Sequence, residues 1–214
     1  MKKVTAITVQ PNRNTGYRLM KRLIDITGSL AGLILLSPLF GIVSLMIYKE
    51  DKGNVIFTQE RNGLNNHVFR MYKFRSMVMN APSMRAELGK YNELDGPAFK
   101  MKNDPRITKI GAFIRKTSID ELPQLVNVLK GEMSLVGPRP LPTYETAECN
   151  EYQLQRLLVK PGLTCYWQIS GRNNISFDEW MEMDLRYIRE ESVWTDFKIL
   201  VMTVKAVFTG KGAY

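Results

Sequence analysis

The apolar positions of the chain form one long uncharged run and several shorter amphipathic segments. The run TGSLAGLILLSPLFGIVSLMIY follows Ile26 and ends at Tyr48 without a charged residue. As one helix it would be about 35 Å long, which is enough to cross the hydrocarbon core of a bilayer. The run is too long for a cleaved signal peptide. It therefore predicts contact with a membrane.

Two features of this run argue against a plain crossing. Ser37-Pro38 lies near its middle, where proline removes a backbone donor and bends a helix, and a serine hydroxyl can satisfy a carbonyl that the bend frees. Basic residues flank both ends: Lys21 and Arg22 before the run, Lys49 and Lys52 after it. A re-entrant helix that leaves by the face it entered would keep both ends on the positive side. A straight span with a tolerated proline is the other interpretation.

The remaining segments predict a small mixed domain. Residues 53–77 alternate apolar and polar positions about Asn62-Gly63, which is typical of a β-hairpin, with Lys73 and Arg75 projecting from one face. Residues 163–169 predict an extended run. Residues 110–115 predict a short helix or strand, and helical patterns cover 122–130, 145–158, 177–190 and 194–208. The fold class expected is α+β, with a mostly helical catalytic domain, a β-hairpin and a re-entrant membrane helix.

The last helical pattern is amphipathic, with Trp194, Phe197, Leu200, Val201, Val204 and Phe208 at helical spacing. Such a stripe suits a helix lying on a membrane surface, and equally one packed on a protein core. Residues 1–20 are polar and basic and show no apolar period, so they predict a flexible tail. The expected organisation is a tail at 1–20, a membrane helix at 21–52 and a catalytic domain at 53–214 that ends in an interfacial helix.

Composition narrows the functional classes. Lysine and arginine number 30 against 21 aspartates and glutamates, a net charge of +9 that favours an anionic partner. His67 is the sole histidine and Cys149 and Cys165 are the only cysteines, which excludes zinc sites built on several imidazoles and a disulfide scaffold. A nucleic-acid binder is not expected, because aromatic residues are not interleaved with the basic ones.

Two adjacent carboxylates, Asp120 and Glu121 in TSIDELPQL, are the candidate reactive centre. Ser118 to Glu121 also matches a capping box, a structural alternative in which both acids only favour a helix start. In the chemical interpretation an ionised Asp120 attacks phosphorus and Glu121 holds a divalent cation. Carboxylate ligands and a phosphate substrate favour Mg²⁺, held by Asp120 and Glu121.

A carboxylate that attacks a diphosphate needs positive charge at the phosphoryl oxygens. The candidates are Lys73, Arg115, Arg139 and Arg172. Arg139 lies in Gly137-Pro138-Arg139-Pro140, and Arg172 follows Gly171. Rigid loops of this kind suit bidentate phosphate recognition, because little side-chain entropy is lost. No Walker loop or dinucleotide fingerprint is present in the sequence.

Taken together, several motifs resemble the bacterial sugar transferases, the monotopic phosphoglycosyl transferases. They are KRLIDI, the Ser37-Pro38 hairpin, YKFRSM, RKTSIDELPQLVNVLKGEMSLVGPRP, VKPGLT and SGRN, and the likeness covers about residues 20–210. It implies transfer of a sugar 1-phosphate from a UDP-sugar to polyprenyl (undecaprenyl) phosphate, with release of UMP. This would begin exopolysaccharide or other glycoconjugate synthesis on the cytoplasmic face of the inner membrane.

The resemblance also implies residue roles. Asp120 would form a covalent phosphosugar intermediate with Glu121 as its Mg²⁺-binding partner, and Arg115, Arg139 and Arg172 would face phosphate. Ser37-Pro38 would be the break of the re-entrant helix, while Lys73 and Asp184 match positions with less defined roles. The chain looks like the small catalytic form of the family. Cys165-Tyr166 replaces smaller residues expected before Trp167, which bears on substrate preference.

Three questions stay open at this level. A membrane-anchored, anionic-lipid-binding scaffold without catalysis would use the same charges. Direct transfer, with Asp120 as a base on the lipid phosphate and no covalent intermediate, is a second alternative. The sugar and the oligomeric state, including a homo-oligomer, are not readable from the sequence.

Overall fold

The computed structural model describes residues 9–93, 97, 99, 101–171 and 175–209. Within these residues the helices are α1 Thr15–Leu35, α2 Ser37–Asp51, α3 Ala81–Leu88, α4 Lys109–Lys116, α5 Gln124–Lys130, α6 Thr143–Thr146, α7 Glu151–Leu154, α8 Tyr166–Ser170, α9 Phe177–Glu190 and α10 Val193–Thr209. The strands are β1 Ile56–Asn62, β2 Val68–Phe74, β3 Ser134–Val136 and β4 Gly162–Thr164. Single 3₁₀ turns cover Leu64–Asn66, Gly89–Tyr91, Ile119–Glu121 and Gln155–Leu158. The mixed α+β content agrees with the prediction.

The predicted hairpin is confirmed, and a second, short sheet is added. β1 and β2 pair antiparallel with Phe57 opposite Lys73, and the chain turns between them after Asn62. β3 and β4 pair parallel, with Ser134 opposite Gly162. This second pairing brings the VGPRP and VKPGLT motifs side by side.

The apolar run is bent where the sequence predicts a break. α1 and α2 meet at Leu36 at an angle of 60°. Pro38 stands in the first turn of α2, where its missing N–H is tolerated, and the Ser37 hydroxyl donates to the Ile34 carbonyl at 2.8 Å. Among the described helices none is long and apolar enough to cross a membrane alone. By length and composition, the two helices of this bent pair are long and apolar enough together.

The segment expected to be a flexible tail is structured from Val9 onward. Val9 is buried in the main core, and its N–H donates to the Gln155 side chain at 2.7 Å. α1 begins at Thr15 rather than near residue 21, and Asn14 caps its first turn. The prediction was wrong for residues 9–20 because their partners lie far away in the sequence. Residues 1–8 are outside the described residues.

A buried polar network ties α1 to the domain. The Asp25 carboxylate accepts from the Ser134 hydroxyl at 2.9 Å and from the Leu135 N–H at 2.8 Å, at the start of β3. Lys21 donates to Asp196 at 2.7 Å and to the Val136 carbonyl at 2.9 Å. The helix is thus fixed to both sides of β3, the strand that leads to Arg139.

Two other expectations are only partly met. The helix expected over 145–158 is divided into α6, α7 and a 3₁₀ turn, and the extended run expected over 163–169 ends at Thr164, after which α8 begins. The α9 bounds match the predicted 177–190. The Ser176 side chain caps the first turn, and the residues at the apolar period are buried. Core residues from α5, β3, α9 and α10 form one cluster that includes Val128, Leu135, Leu185 and Ile199.

Candidate active site

A cavity of about 740 Å³ lies beside the β1–β2 hairpin. Its other walls come from α3, the Asp120 turn, the loop after β3 and α8. Of the candidate residues, Lys73, Arg115, Asp120, Glu121 and Arg139 all line it. Residues that are up to 66 positions apart in the sequence are thus brought to one pocket.

The backbone before the pair of carboxylates places them in the cavity wall. α4 ends at Lys116, and Ser118 then adopts a left-handed φ of +58°, which is uncommon for a residue other than glycine. A single 3₁₀ turn, Ile119–Glu121, follows: the Glu121 N–H donates to the Ser118 carbonyl, and the next N–H, of Leu122, donates to the Ile119 carbonyl. The Ser118 side chain forms no capping bond in this turn. The capping-box alternative is therefore wrong, because Ser118 caps no amide and the Glu121 side chain is bonded to Lys73 and Arg139.

Glu121 is held by two cations. Its Oε1 accepts from Lys73 Nζ at 3.0 Å and from Arg139 Nη2 at 2.6 Å. Burial alone would raise the pKa of Glu121, but the positive charges of Arg139 and Lys73 outweigh it and bring the pKa well below its usual range. Glu121 is therefore ionised at every physiological pH.

Asp120 differs from Glu121 in both its hydrogen bonding and its pKa. It is 7% exposed, and within the described part of the chain its carboxylate forms no hydrogen bond. Burial raises its pKa to about 6, against the lowering effect of Lys73 and with a further rise from Glu121. A buried carboxylate without a partner is costly to the fold, so its presence points to chemistry and not to structure.

Lys73 is positioned by a buried asparagine that the sequence interpretation missed. Asn127 on α5 donates to the Arg70 carbonyl at 2.7 Å and accepts from the Tyr72 N–H at 3.0 Å, so it fastens α5 to β2. Because α5 follows the Asp120 turn, this contact sets the distance between the strand that carries Lys73 and the carboxylates. An asparagine inside LPQLVNVLK gives no sequence signal for this role.

Arg139 is positioned through two glycines and an arginine. A side chain at Gly162 would begin 2.0 Å from the Gly137 nitrogen, so these two backbone segments approach to a distance that only glycine allows. The Gly162 N–H donates to the Pro138 carbonyl at 2.9 Å. Arg156 donates to the Arg139 carbonyl, which fixes the residue whose side chain grips Glu121.

Asp184 lies behind the pocket and not in it. Its Oδ2 accepts from Arg156 Nε at 2.9 Å and Nη2 at 2.5 Å, and both side chains are buried. Burial raises the pKa of Asp184 to about 6 against the pull of Arg156. Asp184 is therefore connected to the site through Arg156 and the Arg139 carbonyl.

The other predicted cations have different outcomes. Arg115 lines the cavity near Asp120, and among the described residues its guanidinium forms no ion pair. Arg172 lies outside the described residues.

Four further arginines, Arg61, Arg75, Arg85 and Arg106, also line the cavity. None of them was a phosphate-binding candidate, because each stands between ordinary surface residues in the sequence. Arg61, whose Nε is buried and lacks a described partner, bonds the Pro140 carbonyl at 2.9 Å.

The residues that could hold a metal are few. Within the described ranges there is no group of three or more histidines, cysteines or acids that could bind one. Asp120 and Glu121 supply two hard carboxylates, and Mg²⁺ commonly takes only one or two carboxylates and completes its shell with water and phosphate oxygens. The unbonded Asp120 carboxylate fits such a site if the substrate contributes the remaining ligands.

Comparison with known proteins gives a consistent family. The family model of the bacterial sugar transferases matches residues 16–210. The chain is 51% identical over 201 residues to the galactosyl transferase CpsE of Streptococcus agalactiae, covering 92% of this chain and 44% of that protein. It is 44% identical over 207 residues to the undecaprenyl-phosphate galactose phosphotransferase of Salmonella typhimurium, covering 92% of this chain and 42% of that protein.

A relative of similar length also matches. The exopolysaccharide production protein ExoY of Rhizobium meliloti is 37% identical over 198 residues, covering 91% of this chain and 88% of that protein. The chain spans less than half the length of the CpsE and galactose phosphotransferase relatives. The match over nearly the whole chain, including every element of the cavity, shows that it belongs to the bacterial sugar transferase family.

Proposed function

We propose that the chain transfers a sugar 1-phosphate from a UDP-sugar to polyprenyl (undecaprenyl) phosphate and releases UMP. Relatives named as undecaprenyl-phosphate sugar phosphotransferases support the reaction class. The single observation that carries the mechanism is the Asp120 carboxylate, which is buried, unbonded within the described residues, and close to Lys73, Arg139 and Arg115 in an open cavity.

The reaction is a double displacement at phosphorus. An Asp120 oxygen forms a bond to the phosphorus that carries the sugar, and the bond from that phosphorus to the UMP oxygen breaks. UMP leaves with the electron pair. A phosphate oxygen of the lipid then attacks the same phosphorus, the acyl-phosphate bond breaks, and Asp120 is regenerated as a carboxylate.

The cations explain how an anion can attack an anion. Lys73 and Arg139 hold Glu121 ionised and leave positive charge beside Asp120. Arg115, unpaired among the described residues, is available for the phosphoryl oxygens, and Arg172 is expected to serve the same purpose. Asp120 and Glu121 would hold Mg²⁺, which supplies charge neutralisation at the phosphates.

Membrane association is part of the proposal. The bent α1–α2 pair would be the re-entrant helix, entering and leaving by one face at the Ser37-Pro38 break. Its apolar residues are widely exposed near the bend, with Leu35 at 78% and Ile34 at 63%. Exposure of this extent on one helix pair is costly in water and favourable in lipid. Trp194 at 72% gives α10 an equivalent surface for the interface.

The wider assignments are part of the same proposal. Residues 21–52 would be the membrane segment and 53–214 the catalytic domain, on the cytoplasmic face of the inner membrane. UDP-sugar, polyprenyl phosphate and membrane lipid would be the partners, and nucleic acid would not. The sugar is left to experiment, and a homo-oligomer is compatible with the proposal.

The test is a panel of UDP-sugars presented with undecaprenyl phosphate and Mg²⁺ to membranes that contain the intact chain or Asp120→Asn. We expect UMP release from at least one donor by the intact chain alone, and the most active donor identifies the sugar. A radiolabelled phosphosugar should stay on the denatured protein when the lipid is left out. UMP release without such an adduct would replace the covalent route by direct transfer.

Loss of the reaction itself would have a different signature. If no donor releases UMP and the chain still binds anionic vesicles, the non-catalytic lipid-binding function would replace the transferase. Full activity of Asp120→Asn would remove Asp120 from the mechanism.

A further inference from the structure

The cavity changes character along β1. Ile56 and Phe57, at the start of the strand, are apolar and 41% and 40% exposed. Farther along, Gln59 and Arg61 line the same cavity and bond to each other at 2.7 Å. One end of the cavity is therefore an apolar mouth, and the other is polar and cationic.

The apolar end is the one next to the bent helix pair. α2 ends at Asp51, five residues before Ile56, and the Asp51 carboxylate accepts from Arg75 just after β2. Met79, 57% exposed, lies across this junction, because a side chain at Gly53 would begin 2.7 Å from its sulfur. Phe57 and Met79, which both line the cavity, thus form a lip, which we name the proximal lip, between the end of α2 and the cavity.

The lip leads directly to the carboxylates. Phe57 is the cross-strand partner of Lys73, and directly opposed residues of an antiparallel pair project from the same face. Lys73 Nζ bonds Glu121, the neighbour of Asp120. An apolar chain lying on Phe57 would therefore place a terminal phosphate beside Lys73.

We propose that the proximal lip binds the first isoprene units of the polyprenyl phosphate as the lipid passes from the membrane to Asp120. This rests on the proposed function and assigns it a direction, with the lipid at the Ile56 end and the nucleotide of the donor at the Arg61 end. The occupant is a prenyl chain because the lip joins the surface of α2 to a phosphate-attacking carboxylate. An acyl lipid that only anchors the protein would not need that connection.

The test separates donor chemistry from lipid entry. The variant Phe57→Gln/Met79→Gln makes the lip polar, and Val68→Gln is the matched control, since Val68 is 45% exposed on the same hairpin and does not line the cavity. UMP release in a single turnover without lipid reports the donor half-reaction. The KM for undecaprenyl phosphate reports the lipid half-reaction, and geranyl phosphate tests dependence on chain length.

We expect the lip variant to raise the KM for undecaprenyl phosphate about tenfold, the effect of losing two partial apolar contacts. Single-turnover UMP release should stay within about twofold, and the preference for undecaprenyl over geranyl phosphate should shrink. Val68→Gln should change neither value. An unchanged lipid KM, or an equal loss in UMP release, would overturn the proposal.

Two further measurements keep the result unambiguous. Binding of radiolabelled undecaprenyl phosphate to Asp120→Asn, with and without the lip substitutions, needs no turnover. A tenfold loss of binding supports the lip even if no donor proves active, so failure of the transferase function is seen separately. Flotation with vesicles should be equal for all variants, and detachment of the lip variant would assign the lip to membrane anchoring instead.

Discussion

Two buried polar networks of this chain contain similar residues but differ in whether their aspartate is hydrogen-bonded. In the network that ties α1 to β3, Asp25 accepts from Ser134 and Leu135, and Tyr187 donates to Asp196 at 2.7 Å. In the cavity network, Glu121 is bonded twice, but its neighbour Asp120 has no hydrogen bond among the described residues. Asp25 and Asp120 are both buried, with exposed fractions of 4% and 7%.

The difference separates structural from reactive carboxylates. A buried carboxylate with hydrogen bonds stabilises the elements it joins, whereas one without them costs stability and keeps its lone pairs free for an electrophile. Substitution should therefore have opposite consequences in the two networks. Removing Asp25 should harm the fold, and removing the charge of Asp120 should harm only the reaction.

The largest effect is expected for Asp120→Asn. Turnover should fall at least about 1,000-fold, because the nucleophile is lost, while the unfolding temperature should not decrease, because no hydrogen bond is lost. UMP release and thermal unfolding in the same detergent measure the two effects. Glu148→Gln, at an exposed position, is the control and should leave both unchanged. A destabilised Asp120→Asn would mean that this carboxylate is structural after all.

The next largest effect is expected for Asp25→Ala. Two hydrogen bonds to the start of β3 are lost and their donors stay buried, so the free energy of unfolding should fall by about 2–3 kcal/mol. Asp25→Asn keeps an acceptor oxygen and should lose clearly less. Denaturant unfolding in micelles measures both variants. Equal losses would show that the charge of Asp25, and not its acceptor geometry, carries the contact.

A smaller effect is expected for Asp184→Asn, which weakens the contact with Arg156 that fixes the Arg139 carbonyl. We expect kcat/KM for the donor to fall about tenfold, roughly 1.4 kcal/mol, because the arginine that holds Glu121 becomes less well placed. Arg139→Lys provides the test of the connection. If Asp184 acts through Arg139, the double variant should lose less than the two single losses added. Additive losses would assign Asp184 a purely structural role.

These networks also show what the sequence could reveal. The hairpin and α9 were predicted because period and turn residues are local signals, and α9 matched to the residue. The Asp120–Glu121 pair was chosen as the candidate reactive centre because adjacent acids are conspicuous in a chain with one histidine, and both residues line the cavity. Nothing local shows that Val9 packs in the core or that Lys73 reaches Glu121, 48 positions away.

The residues that were missed share a physical cause. Arg61 and Asn127 look like surface residues of a strand and a helix, and only the packing of β1–β2 against α5 and the loop after β3 makes them interior. Asp184 was named only from the family resemblance, and its position behind Arg139 depends on the long-range contact with Arg156. Long-range pairing of short strands leaves little trace in a single sequence.

The smallest effect is the pH dependence of stability that Asp120 contributes, which comparison with Asp120→Asn isolates. Its folded pKa of about 6 lies above the ordinary value of about 4, so the folded chain binds this proton more tightly than the unfolded chain. Its contribution to stability is present below about pH 4 and is lost as the pH rises to about 6. Donor turnover should change in the opposite direction, since only the ionised carboxylate attacks phosphorus. In Mg²⁺-free buffer, the free energy of unfolding of the intact chain minus that of Asp120→Asn should therefore decline between pH 4 and 6 and then level off. A difference that rises over this interval would show that Asp120 has a stabilising partner in the folded chain, and the contrast with Asp25 would no longer hold.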